Sequence, residues 1–98
     1  MVKIIKGADG LYHLDFSKME ISNDYEVCDY VDPNYPDIIQ IRVMRKHDKI
    51  IISRCFSVFE LEHILADKGN YLEYCIHNLI QIMPSEEEAA LNKRRWSI

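Results

Sequence analysis

The chain has 98 residues, 48% hydrophobic and 29% charged, which predicts one folded domain and excludes a wholly disordered protein. The formal charge of −4 argues against broad, sequence-independent binding to nucleic acid, because such binding relies on Lys and Arg to neutralise phosphates. No apolar run is long enough for a signal peptide or a membrane span, and the three cysteines show no paired spacing. We therefore expect a cytoplasmic protein with reduced thiols and no membrane partner.

The first predicted element is a hairpin over residues 2–16 around the loop GADG, with Gly10 in a left-handed conformation. In this register the polar residues, His13 among them, share one face. The apolar residues share the other face, and the clean segregation favours the register. The apolar set is Val2, Ile4, Tyr12, Leu14 and Phe16.

A weaker third strand covers YEVCDYV, and a second hairpin follows over residues 38–56. Its alternating apolar residues predict two half-buried strands, with His47 and Asp48 in the turn. Arg54 then lies on the apolar side, where it either snorkels, pairs with a carboxylate, or indicates a different register. The expected facing pairs are Ile39 with Phe56, Ile41 with Arg54, Val43 with Ile52, and Arg45 with Ile50.

From Ser57 onward the apolar period lengthens to that of helices. Three segments carry Glu three positions after Ser or Asn, which is the capping-box spacing: SVFE, NYLE and SEEE. They predict helices over 57–67, 70–83 and 85–95. The second helix has an apolar stripe of Leu72, Cys75, Ile76, Leu79, Ile80 and Met83.

Strands followed by helices predict an α+β fold in a single domain, residues 1–98, mostly β over 1–56 and mostly helical over 57–98. We expect an antiparallel sheet of about five strands, formed by two hairpins plus one strand. Two or three C-terminal helices should pack on one face of that sheet.

Catalytic and metal-binding motifs are not recognisable in the sequence. The three glycines are too scattered for a phosphate loop, and no HExxH is present. His63 and His77, with Glu62 or Glu73, would be a conceivable metal site, and Cys55 or Cys75 a conceivable nucleophile. Apolar neighbours favour inert, buried cysteines. We expect no catalytic residue, no metal and no cofactor, and a small metal-dependent or cysteine enzyme stays the third hypothesis.

Charge is distributed unevenly along the chain. Residues 15–37 hold seven carboxylates and one lysine, a formal charge of −6, whereas residues 38–56 hold five bases and one aspartate, a formal charge of +4. The acidic part contains DYVDPNYPD, residues 29–37. Its prolines stiffen the backbone and its tyrosines offer contact area with few rotatable bonds. The same composition is also typical of an ordinary solvated turn.

The leading hypothesis is a non-enzymatic protein-binding module, an inhibitor or immunity-type accessory protein that engages a basic surface of a partner protein. Its expected contact residues are Asp29, Tyr30, Asp32, Tyr35 and Asp37.

The alternative hypothesis is a nucleic-acid-binding protein, because a basic two-stranded ribbon fits a major groove. Its residues would be Arg42, Arg45, Lys46 and Lys49. The simpler interpretation is that these bases keep the hairpin soluble and discourage edge pairing. Sheet edges in VKIIK and in the second hairpin separately suggest a homodimer.

Overall fold

The computed structural model describes residues 2–67 and 70–96, so Met1, residues 68–69 and residues 97–98 of the predicted domain lie outside the described residues. Five strands precede three helices, which confirms the α+β class. The elements are β1 Lys3–Lys6, β2 Tyr12–Asp15, β3 Tyr25–Tyr30, β4 Ile38–Arg45, β5 Ile51–Ser57, α1 Val58–Asp67, α2 Tyr71–Ile82 and α3 Glu86–Trp96. None of the helices within the described ranges is long and apolar enough to cross a membrane.

The five antiparallel strands form two sheets rather than one continuous sheet. β1 pairs with β2, while β3, β4 and β5 form a three-stranded sheet in that order. The first hairpin closes as predicted: Gly10 has a φ of 80°, which glycine adopts without strain. Ile4 pairs with Leu14, and Val2 and Leu14 are buried. The apolar face of this hairpin therefore contributes to the core.

The predicted register of the second hairpin is confirmed. Cα partners across β4 and β5 are Ile39 with Phe56, Ile41 with Arg54, and Val43 with Ile52. At the end of the ladder, the Arg45 amide donates to the Ile50 carbonyl at 2.9 Å. The turn runs over residues 46–49, with His47 and Asp48 at its centre, and Lys49 takes a φ of 61°.

Arg54 snorkels from the apolar side of the sheet. Its guanidinium carbon lies 4.8 Å from the Phe56 ring centroid, and its Nη1 lies 3.7 Å from the Cys75 sulfur. The residue nevertheless remains exposed. The side chain thus contacts apolar neighbours while its charged head keeps contact with water.

The three-stranded sheet has two unlike faces because successive side chains alternate. We call the face with Ile39, Ile41 and Val43, all 0% exposed, the inner face, and the opposite one the outer face. α2 contacts β4 and β5, and α1 contacts α2 and β5. The inner-face residues share one buried cluster with Leu61 of α1. As predicted for the stripe of the second helix, Leu72, Cys75, Ile76, Leu79 and Met83 belong to the same cluster, and Ile80 is partly buried against it.

Two of the three predicted helix caps form. The Glu60 amide donates to Ser57 Oγ at 3.0 Å, and the Glu88 amide donates to Ser85 Oγ at 3.1 Å. The prediction of a capping box at Asn70 is wrong, since this residue makes no side-chain cap bond. Its φ of −91° and ψ of −4° are already near-helical, whereas a capping residue needs an extended backbone.

Candidate protein-interaction site

Apolar side chains are exposed on the outer face of the sheet. Tyr30 is 47% exposed, Ile38 is 45% exposed and Ile51 is 59% exposed. Residues of α1 and α2 pack against the inner face, whereas these outer-face residues meet solvent in the described part of the chain. By strand alternation this face carries Glu26, Cys28, Tyr30, Ile38, Gln40, Arg42, Met44, Ile51, Ser53 and Cys55.

A shallow pocket of about 190 Å³ opens on the outer face. One row across the three strands contributes to it, because Tyr30 pairs with Gln40, and Gln40 pairs with Cys55. The β3–β4 loop contributes Asp32 and Tyr35. The complete lining is Tyr30, Asp32, Tyr35, Ile38, Gln40 and Cys55.

Short hydrogen bonds hold the β3–β4 loop in shape. The Asp32 side chain accepts the Asn34 amide at 2.9 Å, and the Asp32 carbonyl accepts the Tyr35 amide at 2.8 Å. The two prolines in DYVDPNYPD each fix one φ angle. Tyr35, 64% exposed, is therefore presented to solvent from a backbone held by turns.

The structure brings together three of the five residues predicted to contact a protein partner. Tyr30, Asp32 and Tyr35 line the pocket. Asp37 is exposed at the end of the same loop, and its carbonyl accepts the Val58 amide at 2.8 Å. Asp29 is separated from the others. It pairs with Ile41 in the strand register, so its side chain lies on the inner side.

Asp29 belongs instead to a cluster centred on His13. The imidazole Nδ1 lies 2.9 Å from an Asp29 oxygen, and Nε2 lies 3.0 Å from an Asp9 oxygen. Both nitrogens can donate only in the protonated ring. The hydrogen bond to Asp29, followed by that to Asp9, accordingly raises the pKa of His13 above its usual value. This cluster links the first hairpin to β3.

The Asp9 carboxylate is fixed from its own loop as well. It accepts the Leu11 amide at 3.0 Å, and this bond together with His13 lowers the pKa of Asp9. Gly7 lies so close that a Cβ atom there would be 2.7 Å from Asp9 Oδ1 and 2.7 Å from His13 Cδ2. Sequence reasoning missed this cluster, because 16 residues separate His13 from Asp29 and no local pattern connects them.

Arg45 is engaged inside the molecule. It is 9% exposed, and its Nε and Nη2 donate to both oxygens of Asp48 at 2.8 and 2.6 Å. Nη1 donates to the Pro84 carbonyl at 2.8 Å, which connects the end of β4 to the α2–α3 junction. The hydrogen bonds from Arg45 hold the pKa of Asp48 at about 2. Arg45 therefore acts as a structural cation.

The other bases of the second hairpin point in different directions. Arg42 lies on the outer face, where its Nε donates to Gln40 at 2.8 Å and its guanidinium carbon lies 4.4 Å from the Tyr30 ring centroid. Lys46 and Lys49 are exposed at the turn. The four residues considered for nucleic-acid binding are thus divided among the interior, the outer face and the hairpin tip.

The expectation that all three cysteines are buried is wrong for two of them. Cys75 is buried on α2, whereas Cys28 and Cys55 are exposed. Strand alternation explains this, because both share the outer face with Tyr30. The histidines of the conceivable metal site, His63 and His77, are exposed. No group of three or more His, Cys, Asp and Glu suited to a metal ion occurs among the residues that the structure describes.

The helices expose a second set of apolar residues. Phe59 of α1 is 70% exposed, and Tyr74 of α2 is 66% exposed. Tyr71 and Tyr74 stack with ring centroids 6.1 Å apart. The outer face differs from this set because its apolar residues surround a pocket that also carries a carboxylate.

No protein-family model, no curated protein and no solved structure matches the chain. Functional proposals therefore rest on the chain's own residues. The outer face combines apolar area, a stiff loop and the acidic residue Asp32 at one pocket.

Proposed function

We propose that the chain is a non-enzymatic protein-binding module, an inhibitor or immunity-type accessory protein that engages a basic surface of a partner protein. The outer face is the proposed contact surface. The observation that carries the proposal is the pocket, where exposed Tyr and Ile side chains lie beside Asp32 on a backbone held by turns.

Apolar side chains on the outer face supply contact area. Tyr30, Tyr35, Ile38 and Ile51 are each at least 45% exposed. Aromatic residues are enriched where interfaces concentrate their binding energy. A sheet and a proline-restricted loop hold these side chains in place, so little conformational entropy is lost when a partner binds. This combination supports a rigid, preformed contact surface.

Carboxylates give the surface its preference for a basic partner. Asp32 lines the pocket, Asp37 is exposed in the same loop, and Glu26 is exposed on β3. Such charges steer an oppositely charged surface and speed association, and salt screens the effect. A positively charged nucleic-acid channel of an enzyme is one surface of this kind, which is why inhibition by occlusion is part of the proposal.

The test is capture of a partner from an extract of the source cells on the immobilised chain, at two salt concentrations, with and without nuclease. We expect one protein partner that survives nuclease and decreases with salt. Charge reversal by Asp32→Lys with Asp37→Lys should weaken capture. Asp29 stays unchanged, since it holds His13. The matched control, Glu62→Lys with Asp67→Lys, makes the same charge change on α1 and should leave capture intact.

The proposal would be contradicted if the chain captured nucleic acid that nuclease removes and no stoichiometric protein. That result would favour nucleic-acid binding by the basic hairpin. In that case Lys46→Glu with Lys49→Glu should abolish recovery, because phosphate contacts depend on these charges. Equal loss of capture in the control pair would assign the effect to net charge rather than to the outer face.

Homodimerisation is a separate proposal. β5 is the last strand of its sheet, and it carries one charged residue, Arg54, and no proline, so a second copy could pair with this edge. Sedimentation should then show a concentration-dependent increase in mass. A monomer at the highest concentration would contradict this proposal and leave the binding module unaffected.

A further inference from the structure

We infer that the outer-face pocket binds an arginine side chain of the partner protein. This inference rests on the proposed function and specifies the chemistry of its central contact. It follows from the pocket's lining, from the ring contacts of its two tyrosines, and from the charge at its edge.

The lining combines apolar walls with one negative charge. Tyr30, Tyr35, Ile38 and Cys55 supply rings, an aliphatic chain and a thiol, and Asp32 is the one charged residue among the six. An arginine has the matching composition, because an apolar stem carries a cationic head. A purely aliphatic anchor would leave the Asp32 carboxylate without a cation when the interface closes, and burying an unpaired charge is unfavourable.

The tyrosines indicate where the guanidinium would lie. Tyr30 already has the guanidinium of Arg42 over its ring, with 4.4 Å between the guanidinium carbon and the ring centroid. Tyr35 is 64% exposed and lies three residues after Asp32 in the same turn. An incoming guanidinium can therefore stack on Tyr35 and pair with Asp32.

Arginine is favoured over lysine at such a site. The guanidinium is planar, so it stacks on a ring and presents two parallel N–H donors to a carboxylate at the same time. The lysine ammonium is a compact, strongly hydrated charge that forms only one of these contacts well. We therefore expect selectivity for the planar cation, beyond the attraction of any positive charge.

The test is an NMR titration of the full chain with four capped amino acids: the N-acetyl N-methylamides of arginine, lysine, citrulline and leucine. Citrulline keeps the shape of arginine and lacks its charge. We expect arginine to bind best and to shift the signals of Tyr30, Tyr35 and Ile38, whereas signals from Ile82 on α2 stay unchanged. Asp32→Asn should weaken arginine binding about two- to fivefold, the range of exposed ion pairs.

Two variants keep the result independent of folding. In Asp32→Asn the amide oxygen can still accept the Asn34 amide, so the turn is retained while the charge is lost. Tyr35→Leu keeps apolar area and removes the ring, and it should weaken arginine more than leucine. Asp67→Asn on α1 makes the same charge change away from the pocket and should have no effect.

The inference would be overturned if the leucine or the citrulline derivative bound as tightly as the arginine derivative. It would also be overturned if Asp32→Asn left the arginine affinity unchanged. Signal shifts confined to other surfaces, or no binding up to the solubility limit, would overturn it as well. The proposed function fails separately. A partner captured through Asp32 and Asp37 with no response to arginine would refute only the arginine site. Arginine binding without any captured partner would refute only the partner.

Discussion

The inner and outer faces of the three-stranded sheet are made by the same strands and differ in the burial of their apolar residues. Ile39 is 0% exposed, while its neighbour Ile38 is 45% exposed. One position along the chain reverses the direction of the side chain, and only the inner direction meets the helices. The comparison shows that apolar character alone does not place a residue in the core. We propose partner binding as the reason why apolar residues remain outside around a pocket.

The largest expected effect comes from truncating these two neighbours. Ile39→Ala should lower the free energy of unfolding by about 2–5 kcal/mol, because it opens a cavity in a packed core. Ile38→Ala should cost less than about 1 kcal/mol, as is usual for surface positions. Urea denaturation of both variants measures the difference. Equal costs would show that the outer face is also part of the packed core, contrary to the proposed role.

Acid should reveal the role of Arg45, a buried cation at the end of the inner face. Its bonds lower the pKa of Asp48 from 3.8 to about 2. A depressed native pKa gives stability that is complete above pH 3.8 and is lost as the pH falls through about 2. We expect the wild type to lose more stability over this interval than Asp48→Asn, measured by urea denaturation at each pH. Parallel pH profiles would show that the Arg45–Asp48 pair has no such role.

These two predictions concern features that the sequence revealed to different degrees. The alternation Ile39–Ile41–Val43 predicted which side chains face the core, because a one-residue slip would expose the whole apolar set. The β4–β5 register followed only from placing His47 and Asp48 in the turn. The partner of Arg45 at Pro84 lies 39 residues away, and no local pattern could indicate it. Local periodicity therefore predicts elements and neighbouring strands, whereas contacts between distant elements require the fold.

The pocket shows the same limit. Tyr30, Asp32 and Tyr35 were selected for their composition, but Ile38, Gln40 and Cys55 complete the lining. They join because Tyr30 pairs with Gln40, a β3–β4 register that the weak alternation of YEVCDYV did not determine. The exposure of Cys55 follows from the same geometry. The sequence could predict which face of the sheet Cys55 lies on. It could not predict that Cys55 lines the same pocket as Tyr35.

A smaller effect on stability is expected above neutral pH from the His13–Asp29 contact, which links the two sheets. His13 has a raised pKa in the folded state, so its stabilising contribution is complete below the unfolded value of 6.5 and is lost as the pH rises through the folded value. Thermal denaturation of the wild type should therefore show lower stability at alkaline than at mildly acidic pH. His13→Gln should remove this part of the pH dependence, while the exposed control His63→Gln should retain it.

The smallest expected effect is that of Gly7→Ala in the same cluster. The new Cβ would lie 2.7 Å from Asp9 Oδ1 and from His13 Cδ2. Both contacts involve side chains that can move, so we expect a loss of about 1 kcal/mol or less in thermal denaturation, as for most single substitutions. The substitution should also weaken the pH dependence attributed to His13. A stability loss with an unchanged pH profile would show that Gly7 matters to the loop and not to the cluster.

The outer face carries cysteines that can report whether a partner covers it. Cys55 lines the pocket, Cys28 is exposed on the same face, and Cys75 is buried on the inner side. The most direct measurement is the alkylation rate of each thiol in the free chain and in the complex with its captured partner. We expect partner binding to slow alkylation of Cys55 strongly. An unchanged Cys55 rate in a fully formed complex would contradict it and move the interface to the exposed aromatic residues of the helices.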